Sequence, residues 1–231
     1  MILRTSFDIW LQVGLHVLEF VFIFGVVWLV MYFRRKRWKK VADELGLGMY
    51  RGTGFEQPQI KGYFHDILVT LTPVKNRRRK GAALRIDALL PVSLPTGLQL
   101  SREDFFFRLG KKFGGEEIEL GDAAFDHAFK IRGEDLYGIR HLLTNAGVRN
   151  GLLAFIARHV DTAIDATMIT IDLPQRLPDA AKTREILLEV VNLARLLASA
   201  QGMNLPPVPS PPPVPNAKPQ SNRQGGSQTA S

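Results

Sequence analysis

The chain has 231 residues, of which 45% are hydrophobic, and its formal net charge is +8 at pH 7. It contains no cysteine, which excludes disulfides, thiolate catalysis and cysteine-ligated zinc or iron–sulfur centres. Most of the positive charge falls in two short clusters, at residues 34–40 and 75–80. Without the second cluster, residues 41–205 are net negative. This local basicity argues against a nucleic-acid partner, which would need a broader basic surface.

An apolar segment lies near the start of the chain at residues 9–33 and is 25 residues long. A helix of about 20 residues crosses a hydrocarbon core of roughly 30 Å, so this segment predicts a transmembrane helix with some length to spare for tilt. A cleaved signal peptide would carry its charges before a shorter apolar run and would end in small residues. We therefore expect an uncleaved anchor.

The charges on the two sides of this segment predict its orientation. Residues 34–40 carry six positive charges, whereas residues 1–8 contain only Arg4 and the opposing Asp8. Lys and Arg next to a span are retained on the cytoplasmic side of the membrane. We therefore expect the N-terminus to lie outside and the remainder of the chain to lie in the cytoplasm.

The helix is predicted to continue beyond the membrane surface until Gly46 or Gly48 ends it, because Trp38, Val41, Ala42 and Leu45 recur at helical spacing,. The predicted organisation is an extracytoplasmic N-terminus at 1–8, the transmembrane helix at 9–33, a basic juxtamembrane stalk at 34–46, a cytoplasmic domain at 47–203 and a Pro-rich tail at 204–231.

Strand patterns come first in the domain and helical patterns follow. Strands are expected at 60–64, 67–74, 84–90 and 167–173, with shorter extended pieces at 97–100 and 117–120,. Helical stripes fall at 136–143, 152–160 and 179–202, with a further helix start at Ser101 and a capped turn at Asp122,. This order predicts an α+β fold, with one domain whose mainly antiparallel sheet is packed by about three helices.

The tail changes character at Pro206. Seven of the ten residues 206–215 are proline, and the residues that follow are rich in Gln, Ser, Asn and Gly. Such a segment cannot bury enough apolar surface to fold, and polyproline II conformation with disorder is expected. It contains P-x-x-P spacings, but these are common in proline-rich linkers, so a role as a docking ligand stays open.

Two basic clusters suggest contact with the anionic inner leaflet, where each Lys or Arg contributes about 1 kcal/mol. The alternatives are that the first cluster is only a topology signal and that the second, at 75–80, is a solvated hairpin tip. The residues expected to touch anionic lipid are Arg34, Arg35, Lys36, Arg37, Lys39, Lys40, Arg77, Arg78 and Arg79.

Three polar residues share one face of the apolar helix, since Gln12, His16 and Glu19 are spaced i, i+4, i+7,. An ionisable group at that depth costs a few kcal/mol unless it finds a partner. Association with a second copy or with another membrane protein would supply hydrogen bonds. The alternative is a neutral Glu19 hydrogen-bonded to His16 within one helix.

Acid–base residues gather at two places in the domain, namely His65 with Asp66, and Asp122 and Asp126 with His127. A catalytic group would need partners from elsewhere in the fold, and Asp122 equally fits a helix cap after Gly121. No histidine pair in the domain has metal-ligand spacing, and no glycine-rich segment fits a dinucleotide or phosphate loop. We expect no catalytic site, no metal and no cofactor.

A family resemblance rests on the apolar anchor and on three short motifs. These are Gly62-Tyr63-Phe64, Leu94-Pro95-x-Gly97-Leu98 and Gly121-Asp122-x-x-Phe125-Asp126-x-x-Phe129-x-Ile131-x-Gly133. Over residues 40–200 the chain resembles uncharacterised bacterial membrane-anchored proteins with a cytoplasmic α+β domain of unknown function. The resemblance implies a bacterial inner-membrane location and transfers no catalytic residue.

The expected function is that of a non-enzymatic, single-pass membrane protein that binds a partner or supports assembly at the cytoplasmic face. One alternative is a membrane-proximal enzyme that uses Asp122, Asp126 and His127, or His65. Another is a sensor of anionic lipid surfaces that uses the two basic clusters.

Overall fold

The computed structural model describes residues 2–50, 58–76, 81–102, 116–174 and 179–205, and in the first helix it describes side chains from His16 onward. Three predictions lie outside these ranges. They concern Arg77, Arg78 and Arg79 of the second basic cluster, the helix after Ser101, and the tail from residue 206.

The first helix, α1, runs without a break over Ile2–Leu45. It ends because Gly46 adopts a left-handed conformation with φ +71°, which glycine reaches without steric cost. The Leu47 N–H then donates to the Ala42 carbonyl at 2.9 Å, and this bond satisfies one carbonyl of the last helical turn. The prediction that the helix continues to Gly46 is confirmed.

The two ends of α1 lie in different surroundings. In its apolar part the side chains of residues 16–30 are exposed, as Phe22 illustrates with 72% exposure. Its last turns are buried, and Trp38 is only 1% exposed. Trp38, Val41, Ala42 and Leu45 belong to the same hydrophobic core as the sheet. The predicted stalk is therefore packed against the folded domain rather than standing apart from it.

A nine-stranded sheet is formed by the described residues, in the order β1-β2-β3-β4-β9-β8-β5-β7-β6. Every strand pair in it is antiparallel. The strands are β1 Gly48–Tyr50, β2 Gln59–Phe64, β3 Ile67–Asn76, β4 Gly81–Leu89, β5 Gln99–Ser101, β6 Glu116–Glu117, β7 Lys130–Gly133, β8 Thr162–Asp165 and β9 Met168–Leu173. The four longer predicted strands are confirmed.

Four further helices follow in the described chain, and they are α2 Ala123–Ala128, α3 Leu136–Thr144, α4 Ala146–Arg158 and α5 Ala180–Ala200. The starts of α2, α3 and α4 are explained by capping, because Asp122, Asp135 and Asn145 each accept a backbone N–H of the first turn,. Asp179 precedes α5, as the sequence predicts, but its side chain makes no capping hydrogen bond. The α+β fold class with an antiparallel sheet and an apolar N-terminal helix is confirmed.

The hydrophobic core lies between the helices and one face of the sheet. Alternate strand residues such as Val69, Ile86 and Ile169 are fully buried there, in one cluster with Leu187 and Val190 of α5. The other face of the sheet, which we call the outer face, carries the intervening side chains.

Some local expectations differ from the structure. Val160 was expected on the apolar stripe of the second helix, but α4 ends at Arg158 and Val160 is exposed. Strands β1, β7 and β8 were not expected, because segments of three or four residues show too little alternation to be recognised. Ser101, expected to cap a helix, is the last residue of β5 and is buried.

Candidate functional site

The outer face of the sheet holds a polar cluster on its two central strands. Arg85 on β4 lies opposite Asp172 on β9, and Asp87 lies opposite Thr170 two residues along. These four residues are named the β4–β9 cluster below. Their positions follow from strand alternation, which places every second residue of a strand on the same face.

Arg85 and Asp172 form a bidentate ion pair. Arg85 Nε donates to Asp172 Oδ1 at 2.8 Å, and Arg85 Nη2 donates to Asp172 Oδ2 at 2.9 Å. The Asp172 side chain is only 8% exposed, so the pair is partly shielded from water. The hydrogen bonds that Arg85 donates to Asp172 raise the pKa of Arg85 above its ordinary value, against the opposing effect of burial,.

Asp87 is the second carboxyl group of the cluster. The Thr170 hydroxyl donates to Asp87 Oδ1 at 2.9 Å. Burial raises the pKa of Asp87, while the Thr170 hydrogen bond and the Arg85 charge act in the opposite direction,. Burial therefore favours the protonated form of the Asp87 carboxyl group.

The polar side chains of the β4–β9 cluster form hydrogen bonds with one another. Arg85 donates from Nε and Nη2 to Asp172, and the Thr170 hydroxyl donates to Asp87. The Thr170 hydroxyl is therefore paired with a carboxyl group and not with a histidine or amine base, as an activated nucleophile would be. The cluster joins β4 to β9 through side-chain hydrogen bonds.

His65 and Asp66 form the two-residue loop between β2 and β3. Both have positive φ angles, 47° and 67°, as a type I′ hairpin turn requires. Arg195 of α5 donates from Nη2 to the His65 carbonyl at 3.4 Å and lies 4.0 Å from Asp66 Oδ2. This pair therefore has a structural role in closing the hairpin against α5.

Asp122 and Asp126 hold the start of α2. Asp122 Oδ1 accepts the Phe125 N–H at 3.2 Å, and its other oxygen lies 3.5 Å from Arg149 Nε. Asp126 accepts the backbone N–H groups of Leu120 and Gly121 at 3.0 and 2.9 Å. The capping interpretation of Asp122 is confirmed.

His127 is exposed on the same short helix, while Phe125 and Phe129 enter the core. The carboxylates of Asp122 and Asp126 beside it accept backbone N–H groups. The His65–Asp66 pair lies at a different place, the hairpin turn between β2 and β3. Among the described residues there is no group of three or more His, Asp and Glu side chains that could hold a metal ion.

On α1, His16 Nδ1 lies 3.5 Å from Glu19 Oε2, and both side chains are exposed. Gln12 lies on the same helix, but its side chain is outside the described set. The first basic cluster surrounds the buried Trp38. Its exposed members are Arg34, Arg35, Lys36, Arg37, Lys39 and Lys40.

Sequence reasoning missed the β4–β9 cluster and a second feature of the outer face. Four apolar side chains form a row across four strands there, and they are named the apolar strip: Tyr63, Leu68, Leu89 and Met168. Tyr63 pairs with Leu68, and Leu89 pairs with Met168. The antiparallel β3–β4 register pairs Val69 with Ala88, and its next position places Leu68 opposite Leu89. The only signal in the sequence was an apolar residue at an outward position of each strand.

The chain matches no protein-family model and no curated protein sequence. Its structure has a TM-score of 0.47 against the crystal structure of the mycobacterial trehalose monomycolate transport factor A, with 15% sequence identity, covering 76% of this chain and 97% of that chain.

Proposed function

We propose that this chain is a non-enzymatic, single-pass protein of a bacterial inner membrane, with its N-terminus outside and a cytoplasmic α+β domain that binds a partner or supports assembly. One observation carries the proposal. Helix α1 runs unbroken from an exposed apolar segment into the core of the domain.

The exposed apolar segment supports insertion in a membrane. Among the described residues there is one helix long and apolar enough to cross a bilayer, and none of its most apolar window is buried. The core helix of a soluble protein would bury such side chains, because each large apolar side chain gains about 1.5–3 kcal/mol on leaving water. A hydrocarbon environment removes that penalty for the whole segment.

The buried end of α1 supports an anchor that stays attached. Trp38 and Ala42 fill the core of the domain, and the side chain of Arg184 on α5 donates to the Glu44 carbonyl. Cleavage after the apolar segment would leave only a short fragment of helix to hold these positions. Retention of α1 is therefore part of the stability of the domain.

The same continuity supports a fixed placement of the domain beside the bilayer. The buried Trp38 lies only five positions after Phe33, which is about 8 Å along a helix at 1.5 Å per residue. The exposed basic side chains between residues 34 and 40 would then lie at the level of the lipid headgroups, where they favour the cytoplasmic side.

The helix face with Gln12, His16 and Glu19 supports association inside the membrane. At 3.5 Å the His16–Glu19 contact is at the limit of a hydrogen bond,, so the pair leaves room for a stronger bond to another helix. A second copy of this chain or another membrane protein would supply it. The single-helix alternative, with Glu19 bonded only to His16, predicts no association.

The association is tested by in-cell crosslinking of the full-length protein in native membranes. The variant Gln12→Leu/His16→Leu/Glu19→Leu is compared with the control Val17→Leu/Val21→Leu/Phe24→Leu, which changes the opposite face of the helix. We expect the polar-face variant to lose a specific adduct that the control retains. Equal adduct formation in both variants would contradict association through this face.

The orientation is tested separately, since the absence of native cysteine makes single-cysteine labelling clean. Leu3→Cys is expected to react with a membrane-impermeant maleimide in intact spheroplasts, whereas Tyr137→Cys on α3 reacts only after permeabilisation. The opposite pattern would overturn the proposed orientation, and labelling of both positions in intact spheroplasts would overturn the anchor itself.

A further inference from the structure

The apolar strip is exposed at the end of the sheet that the His65–Asp66 turn closes. Tyr63 is 73% exposed and Leu89 is 48% exposed, while Leu68 and Met168 are half-buried. Because neighbouring strands lie about 4.8 Å apart, four strands give the strip a length of about 14 Å. Aromatic side chains and Met are enriched at the centres of protein interfaces, so the composition of the strip favours a protein partner.

The spacing of the strip matches the turns of an α-helix. A helix that crosses the strands places one side chain on the sheet at every turn, about 5.4 Å apart, which is close to the strand spacing of about 4.8 Å. Anchors at i, i+4, i+7 and i+11 would contact the four strands in succession. Amphipathic helices bind through this pattern of apolar anchors. In an extended segment, side chains on one face recur only about every 6.6 Å, so the geometry favours a helix.

Carboxyl groups flank the strip on β4 and β8. Asp87 lies two residues before Leu89 on β4, and the β8–β9 register, continued by one position, places Asp165 opposite Met168. Burial raises the pKa of Asp87, and the charges of Asp172 and Asp165 raise it further, because like charges disfavour ionisation. A cation on a partner would relieve this repulsion, and complementary charges across an interface favour association.

The strip lies at the far end of α1 from the apolar segment. Leu47, two residues after α1, lies against Gly62, and Gly62 precedes Tyr63 of the strip. The end of α1 at Leu45 is twelve positions after Phe33, which is about 18 Å along a helix. In the proposed orientation this distance favours a protein in the cytoplasm over a lipid as the occupant.

We propose that the apolar strip is the docking site for a protein partner, and that the partner supplies an amphipathic helix of about 12 residues whose apolar face is flanked by Lys or Arg. Its apolar side chains pack on Tyr63 and Leu89. Its cations lie toward Asp87 and Asp165 and away from the exposed Lys61 on β2. This inference rests on the proposed function, because it names the surface through which the cytoplasmic domain binds its partner.

A synthetic peptide tests the chemistry of the surface. The probe is a labelled helix of about 14 residues with Leu at i, i+4, i+7 and i+11 and Lys on both flanks, and the control peptide has Glu in place of Lys. Binding to the full-length protein in phosphatidylcholine nanodiscs is measured by fluorescence anisotropy against empty nanodiscs. We expect the Lys peptide to bind at least fivefold tighter than the Glu peptide. Equal binding of the two peptides, or no binding above empty nanodiscs, would overturn the proposal.

Variants of the protein locate the peptide. Leu89→Ser should weaken binding of the Lys peptide at least fivefold, whereas Tyr137→Ser, at an 83% exposed position on α3, should leave it unchanged. Asp165→Asn should weaken binding about threefold and reduce its dependence on salt, since an exposed charge pair is screened. The exposed Asp179→Asn is the matched control. Equal effects of the strip variants and their controls would overturn the docking site.

Photocrosslinking in the native cells identifies the natural occupant. The photoreactive residue p-benzoylphenylalanine is placed at position 89, with position 137 as the control, and mass spectrometry reads the attached peptide. We expect an adduct at position 89 alone, to a segment with apolar residues at helical spacing flanked by Lys or Arg. No adduct, an adduct to lipid or an adduct to a second copy of this chain would overturn the docking site. The cysteine labelling described above tests the anchor and its orientation separately, so the two failures are distinguishable.

Discussion

Arg85 and Asp172 lie opposite each other on the two central strands and share two hydrogen bonds, although 87 positions separate them in the sequence. The pair connects β4, which belongs to the N-terminal hairpin, with β9, which leads toward the last helix. It therefore ties the two halves of the sheet together.

Removing one partner of this pair should destabilise the domain. We expect Asp172→Ala to lower the free energy of unfolding by about 1–3 kcal/mol, because it leaves a half-buried guanidinium without its acceptor. The measurement is urea unfolding of the full-length protein in detergent. The control is Lys40→Ala, which removes an exposed pair at 3.7 Å with Glu44 and should cost less than about 0.5 kcal/mol. Equal losses in the free energy of unfolding would mean that the Arg85–Asp172 pair contributes no more to stability than the exposed pair.

The stability of the domain should depend on the protonation of Asp87. Burial raises the pKa of Asp87 in the folded protein, so the folded state holds this proton more tightly than the unfolded state does. Its stabilising contribution is therefore complete below the unfolded pKa of about 3.9 and is lost as pH rises through the folded pKa.

The comparison of wild type with Asp87→Asn measures this effect. Asn still accepts the Thr170 hydrogen bond but does not ionise, so wild type should lose stability relative to the variant as pH rises from about 4. Thermal unfolding across pH 4–7 gives the difference. The exposed Asp179→Asn is the control, and a difference for Asp87→Asn that does not change with pH would contradict the assignment.

The burial of α1 in the core gives a strong mutational prediction. Trp38→Ala should lower the free energy of unfolding by about 3–5 kcal/mol, since it removes a fully buried aromatic side chain. The neighbouring Lys39 is exposed, and Lys39→Ala should change stability by less than about 0.5 kcal/mol. Chemical unfolding of the full-length protein checks both, and a small effect at Trp38 would mean that the stalk stands free of the domain.

Substitutions in the turn at His65 and Asp66 test whether these two residues have a structural role. Because both residues have positive φ, replacing them with Asn-Gly, the preferred type I′ pair, should raise the melting temperature, since the left-handed conformation costs other residues about 1–2 kcal/mol each. Asp66→Val should lower it, because a β-branched residue is strained in the left-handed region. A loss of stability in the Asn-Gly variant would contradict the turn assignment.

Much of the fold was predictable because its longest elements have regular patterns. Residues 67–74 and 84–90 alternate clearly, and their hairpin is present as β3 and β4. The spacing of Trp38 and Ala42 likewise predicted that α1 continues past the apolar segment. By contrast, β7 and β8 have four residues each, too few to show a period.

The candidate site was harder to predict because it depends on strand order. Nothing local to Arg85 or Asp172 indicates that β4 neighbours β9, and the apolar strip exists only when four strands are placed side by side. Conversely, the carboxyl and histidine residues that stood out in the sequence, such as Asp126 and His65, are accounted for by a helix start and a hairpin turn.

The unbroken course of α1 has a mechanical consequence in the proposed orientation. With no flexible joint between its apolar part and the buried Trp38, the helix and the domain turn as one lever. Tilting is one way in which a membrane helix accommodates a thinner bilayer, and a change in tilt of about 10° would move a point about 30 Å along this lever by about 5 Å. We expect the height of a fluorophore at Tyr137→Cys above the headgroups to differ between thin and thick bilayers. Such a domain would report on the lipid around its own anchor.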